Sequence, residues 1–261
     1  MQRALAGFAA LCLLGMILAA AAPIDAAPSM SFQSSPLVAP SPPAQALPAA
    51  PATFLDGIDV SDHQKLIDWP TVAASGTRFA FVRASAGTKT ADRTYVANLD
   101  GAAAAGIPIG SYHFANPNQS PGDAGAEAAW FLAHATVRAG DLVPVLDLER
   151  ANGLQPMDLI TWTRTWLEAV TGATGVRPMI YASPVFWWKA MANTDWFAQN
   201  GYQLWIAHWT PDSPILPAGD WNGRSWTVWQ HTSHGAVSGI TGRVDRDRIA
   251  GTSLPTQLFV P

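Results

Sequence analysis

The stretch LVPVLDLER, Leu142 to Arg150, carries the residues best suited to chemistry. On an extended strand alternate side chains share a face. Val143, Val145, Asp147 and Glu149 then point one way, and Pro144, Leu146 and Leu148 the other. Two carboxylates at i and i+2 have Cα atoms about 6.5–7 Å apart. Burial and mutual repulsion push the pKa values of such a pair apart and leave one acid protonated near neutral pH. Glycoside hydrolysis wants that arrangement, with an acid for the leaving oxygen and a negative charge beside the anomeric carbon. The competing explanation is that both acids simply pair with Arg150 or Arg83, because an unpaired buried charge is costly. The D-x-E spacing alone does not choose between the two.

The elements that would position this pair follow from hydrophobic patterning. Strands are expected at Gly57–Val60, Phe79–Ala84, Ile107–Phe114, Leu142–Glu149, Pro178–Ala182, Gln203–Trp209, Ser225–Thr232 and around Val244. Helical segments lie between several of them. One ends at Gly106, one at Gly140, and one carries the apolar stripe Ile160, Thr163, Trp166, Leu167, Val170. The segment TPDSPILPAGDWNGRS reads as a loop from its Pro and Gly content. About eight strands with crossover helices predict an α/β fold, an irregular (β/α) barrel resembling a TIM barrel. Polar residues gather at the expected carboxyl ends of the strands: Asp59, His113, Asp147, Glu149, Tyr181, His208 and Gln230. That is where barrels of this type place their chemistry.

Composition narrows the possibilities. The chain has 261 residues, 49% hydrophobic and 13% charged, with a formal net charge of −4. Its Lys and Arg are scattered, so no basic stripe offers itself to nucleic acid. The six histidines show no H-E-x-x-H and no cysteine partners, and no phosphate loop or dinucleotide fingerprint occurs, so neither metal nor cofactor is expected. No G-x-S-x-G elbow supports a serine nucleophile. The 12 tryptophans include Trp205, Trp209, Trp226 and Trp229 on the late strands, where flat rings suit sugar faces as well as a core.

Residues 1–27 read as an export signal, with Arg3 followed by an alanine-rich apolar run and small residues through Ala27. The single cysteine, Cys12, lies inside that run, so a cleaved product has no thiol. Residues 28–53 are uncharged and rich in Pro, Ala and Ser, as in a disordered tether. The barrel is expected over 54–261, exported to the periplasm or the exterior, monomeric, and not held in a membrane after cleavage.

Several stretches in order resemble glycoside hydrolase family 25, the muramidase-type lysozymes. They are GIDVSDHQKLIDW, VRASAGTKTADRTYVANLDGAAAAGIPIGSYHFANP, VLDLER, MIYASPVFWW, LWIAHWT and WQHTSHGAVSGITGRVDRDR. The resemblance runs from about Leu55 to Gly251. It implies hydrolysis of the β-1,4 bond between N-acetylmuramic acid and N-acetylglucosamine in peptidoglycan. It implies Glu149 as general acid and Asp147 as stabiliser of the substrate's 2-acetamido group, with Asp59 and Asp245 shaping the surrounding charge. Tyr112, Tyr181, His113, Trp209 and Gln230 are the residues expected to hold the sugar. One departure stands out. Relatives often have glutamate where this chain has Ala86, which is expected to leave Arg83 with fewer partners and to alter subsite binding. Two other readings stay open: a peptidoglycan-binding protein without catalysis, and a hydrolase of another amino-sugar polymer.

Overall fold

Period-2 alternation decides which way each strand residue faces, and the computed structural model shows the result over residues 53–261 apart from Pro211. The expected export signal and all of the tether except Thr53 lie outside the described residues. The strands are β1 (Phe54–Val60), β2 (Phe79–Ala86), β3 (Thr90–Ala91), β4 (Ile109–Phe114), β5 (Leu142–Asp147), β6 (Met179–Ala182), β7 (Leu204–Ala207), β8 (Val228–Gly235) and β9 (Val244–Ala250). All but β3 close into an eight-stranded barrel, in which β1 pairs with both β2 and β9. Within the barrel the pairings from β1 through β8 are parallel, and β3 lies antiparallel to β2 outside it. β9 runs antiparallel to both of its neighbours.

Helices fill the crossovers: α1 (Trp69–Ala74), α2 (Tyr95–Ala104), α3 (Asp123–His134), α4 (Pro156–Thr174), α5 (Pro184–Ala190), α6 (Trp196–Gln199) and a helical turn, α7 (Pro217–Asn222). The stripe Ile160, Thr163, Trp166, Leu167 and Val170 is buried, as its spacing predicts. The helix expected to end at Gly140 stops at His134 instead, and Ala135 is extended. Within the expected loop, α7 is a left-handed turn, with Ala218 through Asn222 at positive φ.

Inward-facing residues form two storeys. At the bottom Phe79, Phe81, Met179, Val228 and Leu258 plug the barrel. Gly57 and Gly110 make room for this plug: a Cβ at either position would lie 2.3–2.4 Å from the ring of Phe79 or Phe81. Above it, the Trp205 ring packs 4.6 Å from Phe81 and 4.9 Å from Tyr181, centroid to centroid. Outward-facing Ile58, Val82, Leu146, Ile180 and Ile206 pack instead with the helices. The apolar plug leaves the chemistry a single open end.

Candidate active site

That end collects the polar strand termini. Asp59 is the last residue but one of β1, Tyr112 lies on β4, Asp147 closes β5, Tyr181 lies on β6 and Gln230 on β8. Because β9 is reversed, its first residues reach the same end, and Asp245 sits in register with Asp59. These residues, with Glu149, Arg83, Trp205, His63 and Gln64, line one open pocket. β5 ends at Asp147, two residues short of expectation, but the alternation persists: Leu148 is buried outside the barrel and Glu149 opens onto the pocket.

Neither Arg83 nor Arg150 forms an ion pair with Asp147 or Glu149. Arg83 is bound elsewhere, 2.6 Å from Asp62 and 2.9 Å from Asp92. Arg150 lies over the Phe114 ring, 4.7 Å from its centroid. Among the described residues no ion pair involves Asp59, Asp147, Glu149, Asp245 or the neighbouring Asp247. Five carboxyl groups thus share the barrel mouth without a cationic partner in contact. Burial pushes Asp59, Asp147 and Asp247 well above the ordinary aspartate value, and each is raised further by a neighbouring carboxylate. Burial raises Glu149 too, against the opposing pull of Tyr181 and Arg150. Asp245 is pushed up to about 6, chiefly by burial and despite a hydrogen bond with Asp59. The cluster therefore keeps protons at a pH where isolated carboxylic acids have lost them.

Hydrogen bonds tie the floor to the rim. Gln230 Nε2 donates to Asp59 Oδ2 at 2.8 Å, and Gln230 Oε1 accepts from the Tyr181 hydroxyl and Trp209 Nε1, both at 3.0 Å. Trp205 Nε1 donates to Asp247 Oδ1 at 2.9 Å. Asp147 Oδ1 is buried and has no hydrogen-bond partner. Such an atom is an acceptor awaiting a donor. Burial holds the Tyr112 and Tyr181 hydroxyls well above the ordinary tyrosine value, so both remain donors.

The pocket does not stand alone. Phe114 also borders a second pocket lined by Ala86, Lys89 and Arg150. Glu149 and Tyr181 also border a third, walled by Phe186, His208 and Trp209. Three adjoining pockets place the acids mid-way along a groove, a shape suited to a polymer.

A sequence model described as Glycosyl hydrolases family 25 matches residues 58–240. The chain belongs to glycosyl hydrolase family 25. It is a glycoside hydrolase. Lysozyme M1 of Streptomyces globisporus is 33% identical over 219 residues, covering 78% of this chain and 70% of that protein. The N,O-diacetylmuramidase of Chalaropsis sp is 28% identical over 207 residues, covering 73% of this chain and 96% of that protein. Among solved structures, the lysozyme from Streptomyces coelicolor superposes with a TM-score of 0.71 at 32% identity, covering 76% of this chain and 93% of that one. The family 25 match spans most of the barrel, from β1 to just before β9.

Eight of the nine residues expected at the site lie in or beside the pocket. His113 does not. It is 0% exposed on the outer face of β4, hydrogen-bonded to Ser85 Oγ at 2.8 Å and Glu127 Oε2 at 2.9 Å, and stacked on Trp166. Alternation already forbids Tyr112 and His113 from sharing a face. Burial lowers the His113 pKa even against the pull of Glu127, which fits a packing role. Ala86 lines the second pocket, and Arg83 pairs with two acids, Asp62 and Asp92. Asp247 was missed, although the i, i+2 step from Asp245 in VDRD put it on the inner face.

Proposed function

We propose that the chain is an exported N-acetylmuramidase that hydrolyses the β-1,4 bond between N-acetylmuramic acid and N-acetylglucosamine in peptidoglycan. The observation that carries this reading is the division of environment within the unpaired acids. Glu149 is exposed on the pocket wall, whereas Asp147 is 8% exposed with a buried, unpartnered oxygen. Of the D-x-E pair, Glu149 is the acid open to a glycosidic oxygen, so Glu149 is the proton donor.

Asp147 Oδ1 then accepts the N–H of the 2-acetamido group and turns its carbonyl oxygen toward the anomeric carbon. The carbonyl oxygen attacks that carbon as the leaving sugar departs with the Glu149 proton, a substrate-assisted displacement. Water then attacks the anomeric carbon, breaking its bond to the acetamido oxygen, and gives a proton to the Glu149 carboxylate, which restores the acid. Asp59 and Asp245 set the negative field around the developing oxocarbenium charge. Tyr181, Gln230 and Trp209 hold the sugar, and Tyr112 borders the reacting centre. The expected leader at 1–27 supports export to the compartment where peptidoglycan lies.

The names of the relatives, lysozyme and N,O-diacetylmuramidase, support the same substrate. The test is release of reducing ends from purified peptidoglycan by the wild type and by Glu149→Gln, with product masses identifying the sugar at the new end. Retention on insoluble peptidoglycan without any reducing ends from the wild type would mean binding without catalysis. Full activity in the variant would remove Glu149 from its role.

A further inference from the structure

The second pocket has a character opposite to the first. Its walls include Lys89 and Arg150 and no acidic residue, although it adjoins the five-acid cluster. Among the described residues neither cation forms an ion pair. The fold holds the backbone that carries Lys89 and the side chain of Arg150. Lys89 sits in the short turn joining β2 to β3, where Ala86 pairs with Thr90 and Gly87 takes φ 52°. Trp130 Nε1 on α3 pins this turn by donating to the Thr90 carbonyl at 2.9 Å. Arg150 is flattened on Phe114, and it directly follows Glu149. Gly87 keeps the floor open, since a Cβ there would lie 3.3 Å from Asn116 Cβ. Two unpaired cations bordering a groove favour a carboxylate ligand, and their place beside Glu149 puts that ligand on the sugar next to the cut bond.

We infer that this pocket is a carboxylate subsite for the acidic branch on O-3 of the muramyl residue, either the free lactyl carboxylate or the carboxylates of a stem peptide attached to it. The inference rests on the muramidase reading and adds a determinant of substrate choice. Lys89 and Arg150 bind the branch and take no part in bond cleavage. A neutral amino-sugar polymer presents nothing to this pocket.

The experiment compares the wild type with Lys89→Ala and Lys89→Glu on three preparations of one glycan. These are strands with stems intact, strands stripped by an amidase to free lactyl groups, and stripped strands with those carboxyls converted to methylamides. Lys89 is an exposed cation, so its removal should raise KM on the preferred acidic substrate about fivefold, and its reversal about twentyfold, with kcat unchanged. Added salt should raise the wild-type KM on that substrate and leave the methylamide strands alone. The losses should vanish on the methylamide strands. Loss confined to intact strands identifies the stem carboxylates as the source, loss confined to stripped strands identifies the lactyl carboxylate, and loss on both acidic preparations shows that the pocket takes either. Equal loss on all three preparations, or none on any, overturns the subsite while leaving the muramidase reading intact. A wild type that cuts none of the three overturns that reading instead.

Discussion

Two groups of acids lie at the same end of the barrel and were given opposite surroundings. Asp62 and Asp92 are held by Arg83, and Arg93 adds a second cation to Asp62. Asp92 also accepts hydrogen bonds from the backbone of Asp62 and from both the backbone and hydroxyl of Thr94. A short distance away, Asp59, Asp147, Glu149, Asp245 and Asp247 have no such partner in contact, and Asp147 and Asp247 each keep a buried oxygen without a hydrogen bond. Burial works to raise the Asp62 carboxyl, yet Arg93 and Arg83 outweigh it and hold it below its ordinary value. Burial raises the five others. The first group fastens the β1–α1 connection to β2. The second is expensive to fold, and a fold retains that expense where the groups are used.

Exchanging one acid in each group should separate the roles most sharply. Glu149→Gln should lower kcat on peptidoglycan by about 10³, the scale of a general acid, while its thermal midpoint stays near that of the wild type. Asp92→Ala should do the reverse. It takes one of the two acidic partners from Arg83 and leaves the backbone N–H groups of Asp62 and Thr94 without their acceptor, costing about 3 kcal/mol in urea unfolding. A large stability loss in Glu149→Gln, or none in Asp92→Ala, would erase the distinction.

A smaller effect tests the cost of the unpaired group through pH. Burial pushes the Asp245 carboxyl up to about 6 in the folded chain, above the aspartate value of the unfolded chain. The proton it retains therefore favours the native state below about pH 4, and that contribution is lost as pH rises through about 6. Asp62 has the opposite sign: its contribution is present above the unfolded value and lost as pH falls through its depressed one. Between pH 5 and 7 the unpaired cluster should dominate, so wild-type stability falls on going to pH 7. Asp245→Asn should recover on the order of 1–2 kcal/mol at pH 7 and almost nothing at pH 4. Identical urea midpoints for variant and wild type at pH 7 would contradict this.

The smallest effect belongs to the rim. Trp209 is 61% exposed and is tied to the cluster by its hydrogen bond to Gln230. Trp209→Ala should raise KM about threefold through lost ring contact with sugar, and leave kcat within about twofold. A fall in kcat to match that of Glu149→Gln would move Trp209 from the rim into the reacting centre.

Much of this was written locally. Val143, Val145 and Asp147 alternate with Leu146 and Leu148, and the barrel uses that alternation as read. The eight expected strands all exist, with shifted ends. His113 shows how local reading fails when its own rule is set aside, because an inward Tyr112 sends its neighbour outward. Asp247 shows the converse, a site neighbour visible in the spacing of VDRD and passed over. The status of Arg83 was not visible at all, since its partners Asp62 and Asp92 lie 21 and 9 positions away along the chain.

By itself, then, the sequence determined the strands, their inward and outward faces, and the pair Asp147 and Glu149, because a period of two is a property of the local backbone. Only the tertiary structure decided that β9 runs backwards and brings Asp245 and Asp247 to the mouth. It also decided that Arg83 is spent on other acids and that Lys89 and Arg150 face an open pocket. Each of these depends on which distant segments come to lie side by side, and charge is neutralised or left free by neighbours in space.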